Sequence, residues 1–389
     1  MRYSEFRTVP TTPLFEAARI QHAEDIIFWE GSAGAARALE SFRKLEQGGH
    51  QDVTVKWDGS PAIIFGRNEN GEFVLTDKSG FGAKGYDGKA TSGGALQKML
   101  MARPGAKRDP EGYGQFAANM KDIFDEYEKA TPKDFRGYLK GDLLYFNRPQ
   151  LQDGKYKFTP NIVTYEINPN SDIGKRVGAS KSGVVIHRVV DEQGNESPLS
   201  DDVKNMFLGN EVFVVPPVQV VKAPQVSNEG IDDLKQVISK NATAIDKMLN
   251  QSTLLQLKLA DFSQILYNYT NSKVDTGIQN LGSDFMQWLA NSKVSKPKQQ
   301  RITDYIQQNQ AGFTALWMIV NKIMGVKNDI INQFDKHDSD VKASIGPGGP
   351  AKPETHGQGG EGYVLAHPEG DIKLVSREYF SKANRSVER

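Results

Sequence analysis

Cysteine is missing from this 389-residue chain, which excludes disulfides, thiolate metal sites and cysteine nucleophiles. Long apolar runs are missing as well. No stretch approaches the roughly 20 residues needed to span a bilayer, and Met1-Arg2-Tyr3-Ser4-Glu5 lacks the apolar core of a signal peptide. The expectation is a cytoplasmic protein with no membrane partner. Neither sign of charge is in excess: 48 basic residues face 48 acidic ones, so the surface as a whole does not draw the chain to nucleic acid.

What is present describes a soluble, globular chain, with 38% hydrophobic and 25% charged residues and enough length for two domains. Basic residues gather locally at Lys98, Arg103, Lys107 and Arg108, and again at Lys293, Lys296, Lys298 and Arg301. Either cluster offers contacts for phosphates, although a solvated face is the commoner role of such runs.

The most informative segment is Lys56-Trp57-Asp58-Gly59, which comes directly after the short β-rich run Val53-Thr54-Val55. A strand that ends in an Asp-Gly turn needs no catalytic reason. Its meaning comes from four segments downstream of it, in this order: Asp77-Lys78-Ser79-Gly80, Gly141-Asp142-Leu143-Leu144-Tyr145, Glu361-Gly362-Tyr363-Val364 and Ile372-Lys373-Leu374-Val375.

This series resembles the covalent nucleotidyltransferase superfamily, the ATP-dependent DNA and RNA ligases and mRNA capping enzymes, and is closest to RNA-ligase-like members. In that family Lys-x-Asp-Gly bears the nucleotidylated lysine. The resemblance makes Lys56 the nucleophile, flanked in the nucleotide site by Val55, Asp58 and Gly59. It makes Asp142 the counterpart of an acid usually seen as Glu, Glu361 a later metal-binding acid, and Lys373 the lysine on the α-phosphate. Asp142 and Glu361 are then the metal ligands, and ATP and Mg²⁺ the cofactors. Tyr165 or His187 falls where the family lines its base pocket; apart from the resemblance, Lys78 or Lys84 at the glycine loop is a candidate phosphate contact.

The departures are specific. Many ligases continue Asp-Gly with one residue and then Arg, where Ser60-Pro61-Ala62 stands here; Arg67 is the candidate substitute. Arg377 stands near the place of a second lysine and keeps its charge but not its geometry. The sequence ends at Arg389, so no C-terminal OB-fold is expected.

The chemistry explains the combination. A lysine amine with an ordinary value near 10.4 is protonated at neutral pH and cannot attack phosphorus. A neighbouring cation, partial burial or a metal lowers that value and frees the lone pair. The implied function is an ATP-dependent polynucleotide ligase, with AMP passing from Lys56 to the 5′-phosphate end of RNA or of a nicked duplex. Two alternatives stand: a nucleotidyltransferase acting on a protein or small molecule, and an inactive nucleotide- or nucleic-acid-binding module.

The pattern predicts an α+β fold, a ligase-like nucleotidyltransferase domain with antiparallel sheets interrupted by an all-α insertion. Ser32 is a candidate cap for a helix running toward Glu46. Short β-rich runs come next at Val53–Val55, Ile63–Phe65, Phe73–Thr76, Leu143–Phe146, Ile162–Ile167 and Val184–Val190. Phe116–Glu128 carries helical spacing between them. Gly80-Phe81-Gly82-Ala83-Lys84-Gly85 matches a dinucleotide fingerprint in letters only, since Tyr86-Asp87-Gly88-Lys89 continues the loop.

From about Gly230 apolar residues recur at helical spacing, as at Leu316, Ile319, Val320 and Ile323. Trp288 and Trp317 read as packing residues there. The expected division is 1–222 for the first part of the nucleotidyltransferase domain, 223–345 for the helical insertion, 346–360 for a Gly/Pro-rich linker, and 361–389 for the last strands.

Overall fold

The computed structural model describes residues 21–47, 53–78, 80–81, 89–161, 163–199, 207, 209, 211–215, 222–225, 228–274, 278, 280–336, 340–345, 362–365, 367 and 371–377. They form a mixed α+β protein with largely antiparallel sheets, and none of those sheets closes into a barrel. No helix among them is long and apolar enough to cross a membrane.

In chain order the strands are β1 (Gln21–His22), β2 (Val53–Val55), β3 (Ala62–Arg67), β4 (Phe73–Asp77), β5 (Gly137–Tyr145), β6 (Leu151–Gln152) and β7 (Lys155–Phe158). They continue as β8 (Val163–Ile167), β9 (Ser182–Val190), β10 (Glu196–Pro198), β11 (Val212–Val214), β12 (Val341–Ile345), β13 (Tyr363–Leu365) and β14 (Ile372–Leu374). Contacts divide the chain into two compact units. A sheet unit gathers the described residues of Trp57–Pro217 and Asp340–Gly346; a helical unit gathers those of Ala18–Lys56, Val218–Ser339 and Pro347–Arg389.

In the sheet unit, the main sheet runs β10-β9-β5-β3-β4, with β11 parallel to β9 on a side branch. The helix Pro110–Ala130 covers one face, placing Ala117, Met120, Ile123, Phe124 and Tyr127 in one apolar cluster with Ile63, Phe65, Leu139 and Leu143. It starts before the predicted Phe116 because Asp109 accepts a hydrogen bond from the Gly112 amide and Pro110 occupies the first turn. A smaller sheet, β12-β8-β7-β6, is closed by β12, which pairs antiparallel with β8 although the helical segment separates them in sequence.

The helical unit contains Ile26–Glu46, Asn228–Met248, Gln251–Gln256, Phe262–Ser272, Phe285–Asn291, Lys296–Gln308 and Gln310–Asp335. Leu234, Ile238 and Ile245 share a core with Leu316, Ile319, Val320 and Ile323, the burial that the helical spacing calls for. Trp317 is buried against Phe28 and Tyr269, and Trp288 packs at the edge of the same core. The first helix begins at Ile26, ahead of the expected cap at Ser32, and breaks at Gly31, whose φ is 62°. Asp246 accepts from the amide and hydroxyl of Ser32 at 2.7 and 2.6 Å, and a Cβ on Gly31 would lie 2.5 Å from that carboxylate.

The same unit holds a four-stranded sheet in the order β1-β14-β13-β2. Val53, Leu365, Ile372 and Leu374 point into the helical core. This differs from the expected boundaries: β1, the first helix, β2 and the last two strands share a core with helices of residues 228–335, because those strands need an apolar cover for one face. The linker at 346–360 lies outside the described residues.

Candidate nucleotide site

The expected site residues divide between the two units. In the helical unit, β13 lies between β2 and β14, antiparallel to both. Segments about 300 positions apart in sequence thereby become neighbouring strands. The backbone N–H of Lys56 donates to the carbonyl of Gly362 at 2.9 Å, which extends the β2–β13 pairing by one residue. Val55 stands opposite Tyr363. Glu361, the residue before Gly362, lies outside the described residues.

Pairing fixes which side chains share a face. Thr54 is opposite Val364, Val364 opposite Lys373, and Lys373 is in register with His22 of the parallel strand β1. Side chains alternate along a strand, so this half-buried row faces away from the helical core, and Lys56, two residues beyond Thr54, continues its face. Lys56 and Lys373 are thus presented on one side of one sheet. His22 responds to both: burial lowers its imidazole well below the ordinary value, and the charges of Arg377, Lys327, Lys373 and Lys56 lower it further.

Behind β1 lies a group of buried charges that the sequence did not reveal. Glu24 accepts from Lys327 at 2.7 and 2.8 Å and from Arg377 Nε at 2.9 Å. Arg377 also donates to Asp25 and, at 2.9 Å, to Asn271. Glu24 and Lys327 are completely buried, Asp25 and Arg377 nearly so. Burial pushes the Glu24 carboxyl up, but the Lys327 and Arg377 charges outweigh it and hold it below its ordinary value. Burial lifts Asp25 to about 7 against the pull of Arg377, with the Glu24 charge adding to the rise. Arg377, expected at the nucleotide, is instead an internal strut. Its one available signal was Lys327, a lysine at apolar helical spacing among Ile323, Met324, Ile330 and Ile331.

The sheet unit holds the other expected residues. The Asp58 amide donates to the Tyr165 hydroxyl oxygen at 2.7 Å. Ser60 N donates to Leu143 O at 2.8 Å, and Leu143 N to Pro61 O at 3.0 Å. The Asp58-Gly59 turn therefore runs beside Asp142-Leu143. Gly59 is required there, because a Cβ would lie 2.3 Å from the Leu143 carbonyl oxygen. Asp142 Oδ2 is 3.0 Å from His187 Nε2, and both side chains are partly exposed. This acid and this histidine come from β5 and β9, which pair directly.

Two residues take roles other than those expected. Tyr165 is completely buried and in ring contact with Trp57 and Phe158, with centroids 4.6 and 5.4 Å away. No face is left for a purine, and burial pushes its phenol well up. Arg67 donates to the carbonyls of Pro132, Gly71, Glu128 and Thr131, which ties β3 to the end of the covering helix. It is buried and spends its donors on backbone, so it does not replace the missing arginine. Lys78 is exposed at the end of β4; Lys84 and most of its glycine loop lie outside the described residues.

The basic clusters are partly neutralised. Arg103 makes a two-armed pair with Asp77, both bonds 2.8 Å, and Lys298 holds Asp261 with both bonds 2.6 Å. Lys293 and Lys298 line an open cleft with Trp288 on the helical unit.

Two basic side chains on one sheet face suit a phosphate group, whose charge they would offset in part. Mg²⁺ takes one or two carboxylates and completes its shell with phosphate and water; within the sheet unit, Asp142 is a partly exposed carboxylate whose Oδ2 lies 3.0 Å from His187 Nε2. Among the described residues no group of three or more His, Asp or Glu side chains is gathered for a metal.

The sequence matches a family model across residues 18–389. The chain belongs to DUF6267, a family of unknown function. No curated protein and no solved structure matches it. The DUF6267 match takes in β1, β2, β13 and β14, and with them His22, Lys56 and Lys373.

Proposed function

We propose that the chain is an ATP-dependent nucleotidyltransferase that forms a lysyl-nucleotide on Lys56 and passes AMP to a 5′-phosphate end of RNA or of nicked DNA. The observation that carries this reading is the adjacency of β2, β13 and β14, which sets Lys56 and Lys373 on one face of a sheet. The resemblance in motif order supports it independently, since no local rule of strand or turn formation asks for those segments to be neighbours.

In this reading the neutral Lys56 amine attacks the α-phosphorus, a P–N bond forms, and the bond to the bridging oxygen breaks to release pyrophosphate. The nitrogen, now bonded to phosphorus, gives up one proton to water, which leaves a phosphoramidate. Lys373 balances charge on the phosphoryl oxygens as it builds up. Mg²⁺ would supply further charge neutralisation when bound, and the resemblance assigns Asp142 and Glu361 as the carboxylates that would hold it.

Labelled AMP released from the protein by acid but not by alkali identifies the phosphoramidate. Sealing of a nicked duplex or of single-stranded 5′-phosphorylated RNA then identifies the acceptor. A protein that takes up label and seals neither substrate points to a protein or small-molecule acceptor. No label from any nucleotide leaves a binding module.

A further inference from the structure

His22 is in no motif, yet it occupies the same cross-strand row as Lys373. The two are paired in parallel register at the edge of the sheet, and the row faces away from the apolar core that Ile372 and Leu374 enter. His22 Nδ1 is buried without a hydrogen-bond partner among the described residues. Glu24 Oε1 is 3.9 Å from it, beyond hydrogen-bonding reach. A buried ring nitrogen without a partner costs stability in the free protein, while the His22 side chain as a whole keeps 16% of its surface exposed.

We infer that His22 is a further residue of the nucleotide site, donating a hydrogen bond to a phosphate oxygen of the nucleotide that Lys373 holds. This deepens the lysyl-nucleotide reading and rests on it. The charges that act on His22 come from several elements: Lys56 after β2, Lys373 on β14, Arg377 beyond β14, Lys327 from the long helix and Glu24 just beyond its own strand. Four are cationic. Together with burial they keep the ring neutral at physiological pH, so it keeps one N–H donor and one acceptor nitrogen. A neutral ring among cations cannot pair with a carboxylate as an imidazolium does; its donor is suited to an oxyanion arriving from outside.

The test measures the rate of Lys56 labelling from α-labelled ATP with Mg²⁺ in the wild type, His22→Leu and His22→Gln, with a thermal melt of each. Loss of a hydrogen bond to a charged group predicts labelling slowed about 10- to 100-fold in His22→Leu at ATP well below saturation. His22→Gln, which keeps an N–H donor, should recover a substantial part of that rate. The pH profile of the wild type should show no limb near 6.5 that the Gln variant removes.

Equal labelling in the wild type and His22→Leu overturns the inference and leaves the lysyl-nucleotide reading intact. Equal loss in both variants, with equally lowered melting temperatures, also overturns it and makes His22 a packing residue. No labelling of the wild type removes the reading on which the inference rests.

Discussion

Gly59 shows how tightly the Asp-Gly turn is fixed, because its missing side chain is what lets the chain run against the Leu143 carbonyl. Gly59→Ala should lower stability by roughly 1–3 kcal/mol, the usual cost of forcing a methyl into filled space, measured by urea unfolding. Asp335 sets a second test. Burial raises its carboxyl to about 6, against the opposing effect of the hydrogen bond from Tyr363. Between pH 4 and pH 6 the folded state therefore holds a proton that the unfolded chain has released, and stability falls as pH rises through that window. Asp335→Asn keeps an acceptor for Tyr363 and removes the ionisation. It should flatten the pH dependence and be more stable than the wild type at pH 7, by up to roughly 3 kcal/mol. An unchanged pH profile would refute the assignment.

Legibility varied by residue for physical reasons. Lys56, Lys373 and Asp142 sit in segments whose order carries the resemblance. Tyr165 and Arg67 were misjudged because their types allow both roles: a tyrosine stacks on a base or on Trp57, and an arginine grips a phosphate or four backbone carbonyls.

Among the elements, the four-stranded sheet β1-β14-β13-β2 carries the argument, and the buried charges behind it hold its edge. Glu24 is the only carboxylate among the described residues that bonds both Lys327 and Arg377. Removing one partner of a buried ionic group leaves uncompensated charge, so Glu24→Gln should cost about 3–5 kcal/mol in urea unfolding. A loss under about 1 kcal/mol would show that the cluster holds nothing together. The long helices were legible from their apolar spacing. β1 was not, since two residues, Gln21 and His22, give no alternation to read and owe their strand form to pairing with β14. The Glu24–Lys327 pair was equally hidden, because no local pattern joins residues 303 positions apart.

At the scale of the whole molecule, the α+β class and the antiparallel sheets were legible in short β-rich runs and helical spacing, whereas the division into units was not. The boundary depends on which core each strand's apolar face enters, and β2, β13 and β14 enter the helical one. A ligand that binds only the folded state raises stability by mass action. Mg²⁺-ATP at about 100 times its dissociation constant should add about 2.7 kcal/mol, read as a raised melting temperature, and the Lys373→Ala variant should show less of it. No shift at saturating nucleotide would count against a triphosphate site. The central claim, that Lys56 is a nucleophile, is tested most directly by the intact mass of the wild type and of Lys56→Ala after incubation with Mg²⁺ and ATP or GTP. The account predicts a gain of one nucleotide monophosphate in the wild type and none in the variant; no gain in either, or an equal gain in both, would contradict it.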